Sequence, residues 1–171
     1  MRRIGLIAGV VAVVAVWPMA VAQDMQHHHM HGPAAGAEQP QSGAAADPRD
    51  LVRLPAPMQE HMLANMRDHL AAVGEIVGNL ADGKLDAAAK ISEQRLGMTS
   101  LTQHDAAHLA PYMPQPMQDL GTSMHRAASR LAITIQDADV APSVETMAAV
   151  NRGLSDTLSA CNGCHAAYRI R

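Results

Sequence analysis

Between residues 54 and 171 the apolar positions recur at helical steps. Met62, Leu63, Met66, Leu70, Val73, Val77 and Leu80 mark one face of a helix that begins at Pro55-Ala56-Pro57. Proline is tolerated in a first helical turn, where its missing N–H would have no partner. Asp82-Gly83 ends this helix, glycine taking the left-handed cap conformation. A second helix spans about Asp86 to Leu96 and stops at Gly97. A long connection follows, Met98 to about Pro116, with a short helical turn around Thr102 to Leu109. The third helix covers about Met117 to Asp137, with Leu120, Met124, Ala127, Leu131 and Ile135 inward. Ser143 caps the fourth, whose seam is Met147, Leu154, Leu158, Cys161, His165 and Tyr168. From Leu154 the steps run 4, 3, 4, 3, the spacing of a bundle seam, so His165 is expected to point into the core. No strand-like alternation competes. Short first and third connections predict an all-α, antiparallel four-helix bundle.

The pattern ahead of residue 54 is different. Arg2 and Arg3 precede an apolar run, Ile4 to Val16, and Ala20-Val21-Ala22 offers a small-x-small cleavage site. Residues 1–22 read as a signal peptide, the apolar run being short for a bilayer span. Residues 23–50 are rich in Ala, Gly, Pro, Gln, Ser and His without apolar period, and read as a disordered tail. The expected organisation is therefore signal peptide 1–22, tail 23–50 and helical domain 54–171. In the tail, His27, His28, His29 and His31 flank Met30. This cluster could hold Cu²⁺, Ni²⁺ or Zn²⁺ loosely, and its plainer reading is a solvated polar segment.

Composition narrows the partners. The chain has 16 acidic and 13 basic residues, a net charge of −3, and nothing that suggests nucleic acid. A mild acidic excess suits a partner protein with a basic patch. There is no Phe, one Trp and two Tyr. A core so poor in aromatics has room for a flat apolar cofactor, although Leu, Met and Val can fill a bundle by themselves.

The only two cysteines lie in Cys161-Asn162-Gly163-Cys164-His165. Cys-x-x-Cys-His is the attachment pattern of c-type haem. Thiols three residues apart lie on nearly one helix face and can each reach a vinyl group. His165, one turn beyond Cys161, then supplies the proximal iron ligand. A thioredoxin-like redox pair would want a βαβ setting and a zinc site a second ligand pair, and neither is visible in the sequence.

The run Ala160-Cys161-Asn162-Gly163-Cys164-His165-Ala166-Ala167-Tyr168-Arg169 resembles the last helix of the class II cytochromes c. These are cytochrome c′ and its low-spin Met/His relatives. The likeness covers roughly residues 54–171; the attachment motif is its specific part, and the rest is pattern. It implies one haem c, held by thioethers to Cys161 and Cys164, with the first helix over the distal face. Level matching between antiparallel helices points to positions 60–62 as opposite His165. Met62 is favoured as sixth ligand over Met66 and Met58, and His61 and His69 are the imidazole competitors. All three methionines have core packing as their plainer role. Arg67, Arg126 and Arg169 could pair with haem propionates, or could simply be solvated. His104 and His108 sit four apart but lack a third ligand in sequence, and read as loop histidines near the haem edge.

The expected function is a periplasmic monohaem electron carrier that serves redox partner proteins, without a membrane span in its mature form. It is not an enzyme, since no catalytic acid, base or nucleophile set is apparent. One alternative is an NO- or CO-binding protein of the cytochrome c′ type with five-coordinate iron. Another is copper handling by the His/Met-rich tail. Family members often pair through their first two helices, which makes a homodimer one expectation.

Overall fold

The structure is a computed structural model, and it describes residues 46–171. The expected signal peptide, most of the expected tail, and His27, His28, His29 and His31 lie outside the described residues.

The described chain is all-α apart from one pair of two-residue strands. In chain order its elements are β1 (Asp50–Leu51), α1 (Ala56–Ala81), α2 (Leu85–Ile91), α3 (Ala106–Leu109), α4 (Gln115–Val140), α5 (Val144–Ala167) and β2 (Tyr168–Arg169). A π turn, Ser92–Leu96, carries α2 onward, and a 3₁₀ turn, Met98–Leu101, follows it. Pro55 precedes α1 and Pro114 precedes α4, and each helix carries a proline in its first turn. Gly83 ends α1 at φ 71°. Its N–H reaches the Leu80 carbonyl at 3.1 Å while Lys84 N–H reaches Asn79 at 2.8 Å, the paired bonds of a Schellman cap. Ser143 caps α5 through a capping box with Thr146.

Two apolar clusters divide the interior. The first joins Ala72 and Ile76 of α1, Ala88 and Ala89 of α2, Leu131 and Ile135 of α4, and Val150 of α5. Its small side chains let the helices come close. A Cβ on Gly153 would meet Leu131 Cδ1 at 3.2 Å, and α4 and α5 make the most extensive helix contact. The second cluster centres on Val52, Met62, Leu109 and Met117, with Met58, Met66, Met113 and Cys164 packed around it. It gathers the start of α1 and the end of α5, whereas Ile76 and Val150 meet in the first cluster. The two helices therefore run in opposite senses. Among the described residues, no helix is long and apolar enough to cross a membrane.

Three expectations need correction. The 23–50 tail does not extend to Asp50. Asp47 pairs with Arg49, and β1 pairs in parallel with β2, Asp50 beside Tyr168 and Leu51 beside Arg169. Two-residue strands have no period to detect. On α1, Leu70 (74% exposed) and Val77 face outward, and the buried face is Met62, Asn65, His69, Ala72 and Ile76. On α5 the deepest residues are Val150 and Thr157, while Leu158 and His165 are exposed. Of the expected seam of α5, Met147 and Leu154 pack against the first cluster, whereas His165 and Tyr168 border a cavity.

Candidate functional site

The cavity measures about 600 Å³, within the range of about 300–1,000 Å³ usual for small-molecule and cofactor sites. Met62, Asn65, Met66 and His69 of α1 form one wall, and Cys164 and His165 of α5 another. Met117 and His125 line it from the side of α4, and His104 and Met113 from the connection. The lining is rich in methionine, with leucine, alanine and histidine beside it and a basic edge of Arg49, Arg169 and Arg171.

Cys161 and Cys164 are free thiols, both half-buried. Burial pushes both thiols up, and the neighbouring Cys161 adds to the effect at Cys164. A redox-active Cys-x-x-Cys pair shows the opposite, a lowered thiol. His165 lies on the cavity wall although it is exposed, and its carbonyl lies 3.5 Å from the Arg49 guanidinium. Of the expected distal residues, Met62 and Met66 line the cavity. Met58 packs at the margin of the same apolar cluster. Of the three expected arginines, Arg169 is on the wall, whereas Arg67 and Arg126 are not among the lining residues. Arg169 Nε is buried without a hydrogen bond, and the Asp47 carboxylate is 3.6 Å away. Arg49 could not be read as a site residue from sequence, because it falls in a stretch without apolar period.

The histidines are arranged differently from expectation. Asp105 adopts a left-handed backbone, φ 52°, which splits the expected His104/His108 pair. His108 turns out to solvent and bonds Asp105, while His104 is buried. His104 meets His69 of α1 and His125 of α4, all three 7–8% exposed. His69 Nε2 is 3.3 Å from His104 Nδ1. The His125 Nδ1–H donates to the Leu96 carbonyl at 2.7 Å. The His104 carbonyl accepts from Asn65 at 2.9 Å and from His61 Nε2 at 3.0 Å. Desolvation, then the neighbouring rings, pulls His69 down to about 4. Burial also lowers His104 and His125. Arg95 of the π turn pairs with Asp68 and Glu75 of α1, and so fixes that turn beside His69.

His125 was the residue that sequence reasoning missed. Its neighbour Met124 carried the apolar seam, and nothing local marks a histidine that closes a cluster across three elements. A weak signal existed at His69, seven residues after Met62 and so at the same bundle position.

Compared with known proteins, the chain matches no family model, no curated sequence and no solved structure.

Proposed function

We propose that the chain is a c-type monohaem electron carrier of the class II kind, an antiparallel four-helix bundle working in the periplasm. The observation that carries this reading is the placement of Cys-x-x-Cys-His. Cys164 and His165 open onto a largely apolar cavity of cofactor size, with Met62 and Met66 on the facing helix. The donor set fits the group: the Cys164 thiol on the cavity wall with the free Cys161 thiol one turn before it, an imidazole, thioethers and an orphaned arginine N–H. Cys161 and Cys164 would hold the haem through thioethers, His165 would ligate the iron, and Met62 would complete its coordination. The haem supplies a one-electron Fe(III)/Fe(II) couple, tuned by axial ligand, burial and hydrogen bonding. Met62, Met66, Met113 and Met117 would pack apolar side chains around it. Arg169, with its unsatisfied Nε, would meet a propionate carboxylate. His165 at an exposed helix end gives a short path to a docked partner.

Absorption spectra of the purified holoprotein test the reading. A low-spin spectrum with a methionine–iron charge-transfer band in the oxidised form is expected, and Met62→Ala should lose that band. A high-spin ferric spectrum with ready CO binding after reduction would move the function to gas binding. A purified protein without covalent haem would end the proposal.

A further inference from the structure

We propose that His69, His104 and His125 form a three-histidine site for a divalent first-row transition metal, zinc being the simplest occupant, with its open position toward the cavity. The site does not depend on the haem reading. Its residues come from α1, the connection and α4, so only the folded chain assembles it.

Convergence is the first support. One ring nitrogen from each histidine lies within 4.8 Å of the other two. The His69 Nε2 to His104 Nδ1 distance is 3.3 Å. Two imidazole nitrogens on a tetrahedral zinc, with bonds of about 2.0–2.1 Å, lie about 3.3 Å apart. That pair already has the required separation, and the third nitrogen, from His125, lies within 4.8 Å of both.

A second support is the outer shell. A metal-bound imidazole commonly donates its other N–H to a carbonyl, which fixes the tautomer and orients the ring. His125 does this with the Leu96 carbonyl. Leu96 closes the π turn, and such turns recur at functional sites because they redirect backbone groups. Asn65 and His61 clamp the His104 backbone through its carbonyl. These contacts orient His125 and anchor the His104 backbone, and Ser100 Oγ lies 3.3 Å from Nδ1 of both His104 and His125.

The donor type selects the ion. Imidazole alone suits Zn²⁺, Cu²⁺ or Ni²⁺, while Ca²⁺ and Mg²⁺ require oxygen ligands. A metal ligand must be neutral imidazole, and all three rings are buried away from water. All three histidines line the cavity. A fourth ligand would therefore come from cavity water or a small anion, the arrangement of open rather than closed zinc sites.

The test adds Zn²⁺ to the full chain carrying His27→Ala, His28→Ala, His29→Ala and His31→Ala, which removes competition from the tail. We expect one tight equivalent by competition with a chromophoric chelator. Zinc-edge X-ray absorption should show three imidazole nitrogens at about 2.0–2.1 Å and no sulfur. His69→Ala and His125→Ala should weaken binding about 100-fold or more, at least the effect of losing an outer-shell partner. His108→Ala should leave it unchanged. No tight equivalent, fewer than three imidazoles at the edge, or undiminished binding in His125→Ala would overturn the site. If the alanine variants fail to fold, the edge spectrum of the parent decides alone. Zinc on sulfur would sink both this site and the haem reading, because it requires free Cys161 and Cys164. Absence of zinc beside an intact haem spectrum would sink this site only.

Discussion

Arg169 shows how much a single side chain can carry. Its Nε is buried without a hydrogen bond, and it shares the cavity edge with Arg49 and Arg171. A guanidinium beside a redox centre disfavours the more positive, oxidised state. With the proposed haem in the cavity, Arg169→Gln should therefore lower the midpoint potential by roughly 20–60 mV, a tenfold equilibrium change being about 59 mV for one electron. An unchanged or raised potential in a redox titration would separate Arg169 from the haem. Asn65 acts on stability instead, since its buried amide donates to the His104 carbonyl. Asn65→Ala should destabilise the chain by about 1–3 kcal/mol in denaturant melts, because it takes a buried hydrogen-bond partner from that carbonyl. At this scale the sequence was most legible where chemistry is local. Cys161, Cys164 and His165 could be picked out because they stand together on one helix. His125 could not, since its partners lie far along the chain.

The helices were legible because their burial is periodic and their ends carry caps. Ser143 and Gly83 announced two of those ends. Gly83 holds φ 71°, so Gly83→Ala should cost about 1–2 kcal/mol, read as a lowered melting temperature. Gly97 is constrained differently, by space. A Cβ there would lie 2.7 Å from the Glu93 carbonyl oxygen, so the π turn itself would have to shift. Gly97→Ala should destabilise by about 1–3 kcal/mol, as overpacking does. In the proposed metal site it should also displace the Leu96 carbonyl from His125. Two features at this scale were illegible for physical reasons. The face of α1 was assigned by bulk, through Leu70 and Val77, whereas tight packing selected Ala72 and Ile76. The left-handed turn at Asp105 leaves no mark in an apolar pattern, yet it decides which of two histidines is buried.

Across the whole molecule, the two clusters have different tasks. The one around Ile76, Leu131, Ile135 and Val150 is fully buried and made of aliphatic side chains alone. The one around Met62 and Met117 borders the cavity. Local stability follows the density of buried contacts. In a haem-free chain carrying Cys161→Ser and Cys164→Ser, amide exchange should be slowest at residues 131–135 of α4. It should be fast in the first turns of α1 and the last turns of α5. Uniform protection along both helices would contradict this division. The mostly helical class was legible from the periodicity, the two-residue strand pair apart. The cavity was not, because an absence of packing has no residue to mark it.

The short strand pair has a further consequence. Because Asp50 and Tyr168 are neighbours, the chain leaves its last helix beside the point where it enters its first. The helical domain is thus almost a closed ring, and its opening could be moved. Linking residue 171 to residue 47 and cutting at the exposed Ala141–Pro142 turn would give a circular permutant with every helix intact. Cys161 to His165 would then move from the carboxyl end of the chain to about twenty residues from its new amino terminus.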